Sequence, residues 1–557
     1  MEVLREYISR VSDAVEEAAE GVEAWVLVVL TAGVTLGSIT LLDLYRARQD
    51  VYQSVRQWVF LMVRRIPAVR REISRQLDQT RSEIENKMFN TDTGGLPPMH
   101  ALPRVGWTGE EVVAAATKVL GAGKYDWKQG RISGGAFSGT KDALTKLLTE
   151  VYGRYALSNP LHSDIFPGVR KMEAEIVKMT LDLFHGDKEA CGCMTTGGSE
   201  SLLLAVKAAR DWCREEKGIT RPEMVLCYTG HAGFDKAASI LAIKLRKVAM
   251  DPVTGKVDLR AMRRAITSNT VMLVASAPNF PHGIIDDVEA VGALGQAWNI
   301  PVHVDCCMGG FLLPFMEAAG YPPPPFDFRV PGVTSISADT HKYGQAPKGS
   351  SVLMYRSPEF LHHQYFVTPN WPGGIYATSG VPGSRAGGLV AVCWAVMLYI
   401  GLEGYTTATR DIIATARKLK DQLRQVPEVE LFGDPLTSIV AFRTNGVNIL
   451  TVGDILTSRG WHLTFLQCPP GLHLCLTSLQ TREGLVEELV SDLRKAIEDV
   501  RVNPTPVEGL GKVYGTAAGI PDKSLLGDTA KMFLGCYYDT LSKPIQTNGV
   551  HPPAPAK

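Results

Sequence analysis

Neither sign of charge predominates in this chain: 58 Lys and Arg residues face 58 Asp and Glu, for a formal net charge of +0. The basic excess that nucleic-acid binding requires is missing, which argues against that as its main business. Cysteine is sparse, 10 among 557 residues, too thin for a disulfide scaffold. Cys191 and Cys193, and the adjacent Cys306 and Cys307, lie in apolar or glycine-rich runs without paired CxxC or histidine-rich ligand spacing. They read as reduced, buried thiols of a cytosol-facing domain, and no metal site is expected. Internal repeats are absent too, which sets aside repeat architectures.

Charge is also missing locally. No charged residue occurs from Ala24 to Leu42, a run long enough to cross a bilayer. The start of the chain is acidic, unlike a cleaved signal peptide. Arg46, Arg48, Arg56, Arg64, Arg65, Arg70, Arg71 and Arg75 follow the run, so the positive-inside rule puts the carboxyl-terminal bulk in the cytoplasm. The expected organisation is a short translocated segment (1–23), one transmembrane helix (24–42) and a basic juxtamembrane connector (43–95). Gly94-Gly95-Leu96-Pro97-Pro98 punctuates the end of that connector.

What is present beyond it is alternation. Strand-like runs at Met224–Tyr228, Lys247–Met250, Val271–Ala275, Ile300–Val304 and Val333–Ser337 are separated by helical patterns at Phe234–Leu245, Leu259–Ile266 and Val288–Trp298. This predicts an α/β fold, a mostly parallel sheet with helices on both faces. After residue 400 the pattern shifts to helices at Thr406–Leu423, Val452–Arg459 and Glu483–Val500, with strands near Val429–Phe432, Ile439–Phe442 and Leu472–Leu476. The expected parts are an amino-terminal segment (96–160), a large domain (161–400), a small carboxyl-terminal α+β domain (401–515) and an extension (516–557), its Pro-rich end expected to be disordered.

Ligand groups of such sheets gather at the carboxyl ends of strands. Lys342, in Ser337-Ala338-Asp339-Thr340-His341-Lys342-Tyr343-Gly344, follows one strand, and Asp305 ends another. A lysine able to form an imine and a carboxylate able to keep a pyridine nitrogen protonated are what pyridoxal 5′-phosphate (PLP) chemistry needs most. Thr195-Thr196-Gly197-Gly198-Ser199-Glu200-Ser201 precedes a helix (Leu202–Cys213), and its glycines and first-turn N–H groups suit a phosphate. Taken alone it is a weak signal and reads first as a capped helix start, with Glu200 as a first-turn dipole partner. His231, just after a strand, has room to lie on a pyridine face or to be an ordinary loop residue. His303 reads as a structural neighbour of Asp305.

Asn159-Pro160-Leu161-His162-Ser163-Asp164-Ile165-Phe166-Pro167-Gly168, Thr196 to Ser201, His231-Ala232, Asp305-Cys306-Cys307-Met308-Gly309-Gly310 and Ser337 to Gly344 occur in this order. Together they resemble the sphingosine-1-phosphate lyase family, fold-type I PLP enzymes akin to the group II decarboxylases, over about residues 100–515. The resemblance implies Lys342 as the Schiff-base lysine, Asp305 as the pyridinium partner and His231 as the ring-stacking histidine. It implies Gly197, Gly198 and Ser199 as the phosphate loop, with His341 and Ser384 also at the cofactor. It implies His162, Asn159 and Lys348 near the reacting substrate, His162 and Lys348 close to its phosphate. Gly383-Ser384-Arg385 resembles a loop that completes a site across a homodimer interface. An endoplasmic-reticulum membrane, with a lumenal amino terminus and a cytosolic catalytic domain, is implied as well.

Two positions depart from the family. Phe137, in Ser133-Gly134-Gly135-Ala136-Phe137, stands where a tyrosine is expected near the substrate phosphate, and Gln345 where a second tyrosine is expected. One lost hydrogen bond to a charged phosphate costs roughly 1.5–3 kcal/mol. The implied reaction is retro-aldol cleavage of the C2–C3 bond of a phosphorylated sphingoid base, giving a long-chain aldehyde and phosphoethanolamine. Its base is left open among Lys342, His162, a tyrosine and a substrate phosphate oxygen. The rival readings are an amino-acid decarboxylase, with Arg385 as carboxylate partner, and a membrane-tethered relative that has lost catalysis.

Overall fold

The computed structural model describes residues 62–89, 101–503 apart from 122–124 and 140–141, and 523–538, with 59, 96 and 99 as isolated positions. The expected membrane span at 24–42 lies outside the described residues, as do the first 23 residues and the end of the chain. The described residues fall into two compact units, one from those before 124 and after 519, the other from those between. The first contains α1 (Pro67–Phe89), α2 (Gly109–Leu120) and a late helix, Lys523–Tyr537. Thr108 caps α2 in a reciprocal box with Glu111, whose side chain accepts from the Thr108 N–H at 2.7 Å.

The second unit carries the chemistry. Its helices are α3 (Asp142–Tyr155), α4 (Pro167–Leu183), α5 (Gly198–Lys217), α6 (Gly233–Leu241), α7 (Leu259–Ala265), α8 (Val288–Trp298), α9 (Leu313–Met316), α10 (Pro358–Gln364), α11 (Gly387–Arg424), α12 (Ile449–Ser458) and α13 (Leu485–Val502). A seven-stranded sheet has the order β1 (Cys191–Thr195), β7 (Ser351–Tyr355), β6 (Val333–Ala338), β5 (Val302–Asp305), β4 (Thr270–Ser276), β2 (Glu223–Cys227), β3 (Lys244–Val248). All pairs are parallel except those of β7 with β1 and β6. The central strands β2 and β4 are buried along their whole length, which is why they read as continuous apolar runs.

A second, antiparallel sheet has the order β10 (Val429–Leu431), β11 (Ile439–Thr444), β13 (Gly471–Cys475), β12 (Thr464–Leu466). Residues 130–133 close onto this region: Ile132 bridges to His462, Thr464 Oγ1 donates to Ser133 Oγ at 3.0 Å, and Ser133 Oγ accepts from Cys475 N at 2.9 Å. Gln480 Nε2 donates to the carbonyls of Gly130 and Ile132, both at 2.8 Å. A short hairpin pairs β8 (Phe366–Thr368) with β9 (Tyr376–Thr378).

Several expected boundaries move. The helix expected to reach Leu245 stops at Leu241, because Ala242 turns into the left-handed region (φ 53°) and Lys244 opens β3. The strand expected at Lys247–Met250 accordingly begins three residues earlier. The helix expected from Thr406 is the second part of α11, which starts at Gly387 and breaks at Gly401 (φ 61°, ψ 179°). Among the described residues α11 alone is long and apolar enough to cross a membrane. Half of its apolar window is buried in the protein, with Val390, Val392, Cys393 and Val396 in the core.

Candidate active site

Strands β5 and β6 run parallel with Asp305 opposite Ser337, so the chain leaving β6 turns over the end of β5. That turn carries Lys342. Its Nζ lies 2.9 Å from Asp339 Oδ2, the side chains being 19% and 1% exposed. Burial pulls the ammonium down, but the Asp339 carboxylate outweighs it, helped by Cys307 and Asp305, and Lys342 titrates above an ordinary lysine. Asp305 is buried, and its Oδ1 accepts from Cys307 N at 3.0 Å. His303 lies in the same strand between two hydroxyls, Nδ1 2.9 Å from Ser335 Oγ and Nε2 3.2 Å from Ser337 Oγ. Burial pushes it down to about 4 against the opposing pull of Asp305. It is a neutral spacer.

The glycine loop meets the lysine turn. Gly197 (φ 149°) precedes the first turn of α5, and a Cβ there would lie 3.0 Å from His341 Cε1. At Gly198 it would lie 2.9 Å from Cys307 Sγ and 3.0 and 3.1 Å from the two Asp339 oxygens. Only glycine lets these backbones approach so closely. Ser199 is exposed in the first turn. Below, Thr195 Oγ1 and Ser201 Oγ are 2.7 Å apart and Ser201 Oγ and Ser351 Oγ 2.9 Å, while Ser351 Oγ donates to Ala338 O at 3.2 Å. Glu200 does more than complement the helix dipole. Its Oε2 accepts from Thr196 N at 2.7 Å, and its Oε1 accepts from Val381 N at 2.8 Å. His231 Nδ1 accepts from Gly233 N at 3.0 Å, which puts the ring hydrogen on Nε2.

His341 Nδ1 accepts from Gly349 N (3.3 Å) and Ser350 N (3.2 Å), leaving Nε2–H toward Asp339 Oδ2 at 3.5 Å. Lys348 Nζ donates to His341 O at 3.1 Å and sits 4.6 Å from the centroid of Phe137. Burial, then the neighbouring Lys342, lowers its pKa below the ordinary lysine value. Phe137 is buried and meets Tyr343 edge-on at 5.0 Å. Tyr343 Oη in turn donates to Leu476 O at 2.8 Å. Gln345 adopts φ 60°, and its N–H closes the lysine turn on Lys342 O at 2.9 Å.

A second group holds the rim. Asn159 Nδ2 donates to Ser384 Oγ at 3.0 Å, and Asn159 Oδ1 accepts from Leu161 N (3.1 Å) and Arg385 N (3.2 Å). Arg385 forks onto Glu173, Nη1 to Oε1 and Nη2 to Oε2 at 2.8 Å. His162 is exposed, with its backbone N–H on Asn159 O at 3.1 Å. Thus Lys342, Asp305, Gly197, Gly198, His341, Lys348 and Phe137 are linked by the contacts above, while Asn159 and Ser384 pair with each other. Sequence reasoning gave no role to Asp339 or Glu173, and read Cys307 only as the buried, reduced thiol that it is. The one available signal was an acid three residues before the lysine.

The cradle suits PLP: a helix amino terminus stripped of Cβ atoms for the phosphate, an amine, and a buried carboxylate at the end of the adjacent strand. Asp339 Oδ1 is buried without a hydrogen-bond partner, a polar atom facing the same space beside Gly198.

Residues 110–445 match the pyridoxal-dependent decarboxylase conserved domain. The chain is similar to sphingosine-1-phosphate lyase of Drosophila melanogaster, 43% identical over 96% of this chain and 99% of that one. It is 40% identical to sphingosine-1-phosphate lyase 1 of Mus musculus over 99% of this chain and 96% of that one. A solved sphingosine-1-phosphate lyase of Burkholderia pseudomallei superposes with a TM-score of 0.71 at 40% identity, covering 74% of this chain and 95% of that one. Lactobacillus brevis glutamate decarboxylase, at 20% identity and a TM-score of 0.62 over 72% of this chain and 95% of that one, shares the fold.

Proposed function

Because the chain belongs to the sphingosine-1-phosphate lyase family, within the pyridoxal-dependent decarboxylases, we infer that it cleaves the C2–C3 bond of phosphorylated sphingoid bases with PLP. The products are a long-chain aldehyde and phosphoethanolamine, and the reaction degrades sphingolipid. What carries this reading is the shared edge of β5 and β6, where an acid and a lysine end neighbouring strands beside a glycine-led helix. When bound, PLP supplies the sink for the electron pair released from the C2–C3 bond.

The protein's part is to hold and to orient. Lys342 is assigned the cofactor's aldehyde and Asp305 the proton on its ring nitrogen, with the Cys307 N–H fixing the carboxylate. The N–H groups at Gly198 and Ser199 are assigned the cofactor phosphate, and His231 the ring face. Lys348, with His162 and Asn159, is assigned the substrate's phosphate. The decarboxylase reading is weakened by Arg385, whose guanidinium is already committed to Glu173 on both nitrogens. Purified protein given a phosphorylated sphingoid base should release aldehyde, and Lys342→Ala should abolish it. Carbon dioxide from aromatic or acidic amino acids, without aldehyde from the lipid, would overturn the reading.

Two further assignments belong to this proposal. The chain acts as a homodimer whose 383–385 loop reaches the partner's site; the exposed apolar side chains of the neighbouring hairpin, Phe366, Val367 and Ile375, support this. Sedimentation velocity on detergent-solubilised protein tests it, a monomer being the contrary result. The run Ala24–Leu42 anchors it in the endoplasmic-reticulum membrane with the catalytic part in the cytosol, which its arginine-rich flank supports. Protease protection of tagged termini in sealed microsomes distinguishes this orientation from its inverse.

A further inference from the structure

The buried carboxylate of Asp339 has two features that ordinary ion pairing does not account for. One oxygen, Oδ2, holds Lys342 Nζ at 2.9 Å, while the other, Oδ1, is buried and unpartnered. Both oxygens face Gly198, at the head of α5, where a Cβ would come within 3.0 and 3.1 Å of them. An anion bound at that helix terminus would therefore lie against an ionised carboxylate in a water-poor site, where like charges repel strongly. Moreover, Lys342 must give up its charge to react as a nucleophile, and doing so removes the ammonium that Asp339 Oδ2 holds at 2.9 Å, leaving that oxygen the longer His341 Nε2 contact at 3.5 Å.

We propose that Asp339 is the proton store of the cofactor cradle: it clamps Lys342 as an ammonium in the free protein, takes that proton on Oδ2 when the lysine bonds an aldehyde, and then donates it from Oδ2 to a phosphate oxygen at the head of α5, which both carboxyl oxygens face. The balance is simple. The ammonium passes one proton to the carboxylate, and the freed amine adds its lone pair to the aldehyde carbon. The aldehyde oxygen leaves as water with the two remaining amine hydrogens. No oxidant or reductant is needed. A neutral carboxyl then replaces an anion beside the phosphate, so a repulsion becomes a hydrogen bond.

The surrounding groups fit this traffic. His341 turns Nε2–H to Oδ2, and its Nδ1 is taken by two backbone N–H groups. Asp305 and Cys307, at the end of β5, favour the charged lysine, and Lys348, whose Nζ donates to His341 O, is close enough for Lys342 to lower it. The Ser351 hydroxyl lies between Ala338 O, at 3.2 Å, and the Asp339 carboxylate, which it helps hold ionised in the free protein. The raised lysine and lowered carboxylate of the free protein are the expected signs of the clamp.

The inference rests on the PLP assignment above but not on the lipid substrate, and its test uses no turnover. Cofactor-free full-length protein is mixed with pyridoxal, which lacks phosphate, or with PLP, and imine absorbance is followed across pH. For pyridoxal, Asp339→Asn should move the midpoint of capture at least about one pH unit downward, because the clamp is gone. For PLP, Asp339→Asn should retain affinity within a few-fold, since an amide can also donate, whereas Asp339→Ala should lose roughly tenfold or more. An unchanged pyridoxal midpoint, or equal PLP affinities in the two variants, would overturn the proposal. Infrared difference spectra of unmodified protein give an answer that needs no variant to fold: loading PLP should produce the carbonyl band of a protonated carboxyl, and its absence rules the store out. Imine formation without aldehyde release from lipid would sink the substrate assignment while leaving this one standing.

Discussion

Lys348 rests its ammonium over the Phe137 ring at 4.6 Å while donating to His341 O. The expected tyrosine hydroxyl is absent, yet the aromatic face remains and is occupied by a cation, an interaction of about 1 kcal/mol in a half-desolvated setting. Phe137 is therefore a positioning residue for Lys348. Phe137→Leu, which keeps apolar bulk and removes the face, should raise KM for the phosphorylated base by roughly three- to tenfold with a smaller change in kcat. Phe137→Trp should restore it, and an equal loss in both variants would mark a packing defect instead. Phe137→Tyr keeps the face and adds a donor; unchanged activity would show that the ring suffices. At this scale the placement of Lys342 and Asp305 at the ends of neighbouring strands was legible in the sequence, because Asp305 closes one apolar run and Lys342 follows another. The Asp339 clamp and the Glu173 partner of Arg385 were not, since a turn and a long-range contact create them.

The amino terminus of α5 is set by what lies against it. Gly198 faces Cys307 Sγ, which donates to Ser337 Oγ at 3.2 Å, and Asp339, which is pinned by Lys342. Neither neighbour can retreat cheaply. Gly198→Ala should consequently lower PLP affinity at least about tenfold, near 1.4 kcal/mol, in an absorbance titration. Retained affinity would show that the loop does not carry the phosphate. Glu200 adds a mechanical link, joining Thr196 to Val381. Helices with clear periodicity, such as α8, were legible to the residue, since Val288–Trp298 forms as expected. Short elements were not: β1 contains a glycine, and the reversal of β7 within a parallel sheet leaves no mark in hydropathy.

Across the whole molecule, burial leaves His282, His303 and His473 each pushed down to about 4, and Asp286 pushed up to about 6. The signs oppose. A histidine kept neutral in the folded state contributes stability above the unfolded value near 6.5 that is lost as pH falls toward 4. Asp286, raised in the folded state, contributes stability below about 4 that is lost as pH rises through 6. At about 3 kcal/mol each, three against one decides the matter. Unfolding free energy from urea titrations should drop by several kcal/mol between pH 6.5 and 4, and Asp286→Asn should steepen the drop. A flat profile would mean that the three imidazoles are hydrated. The parallel sheet itself was readable from alternation, because both faces of its centre are covered. The joining of residues 130–133 to the antiparallel sheet was not, as nothing local announces it.

That closure fixes an order of events during synthesis. The carbonyls of Gly130 and Ile132 wait for the amide of Gln480, whose codon is read 350 residues after that of Gly130. A nascent chain emerging from the ribosome therefore carries an open seam for most of its translation.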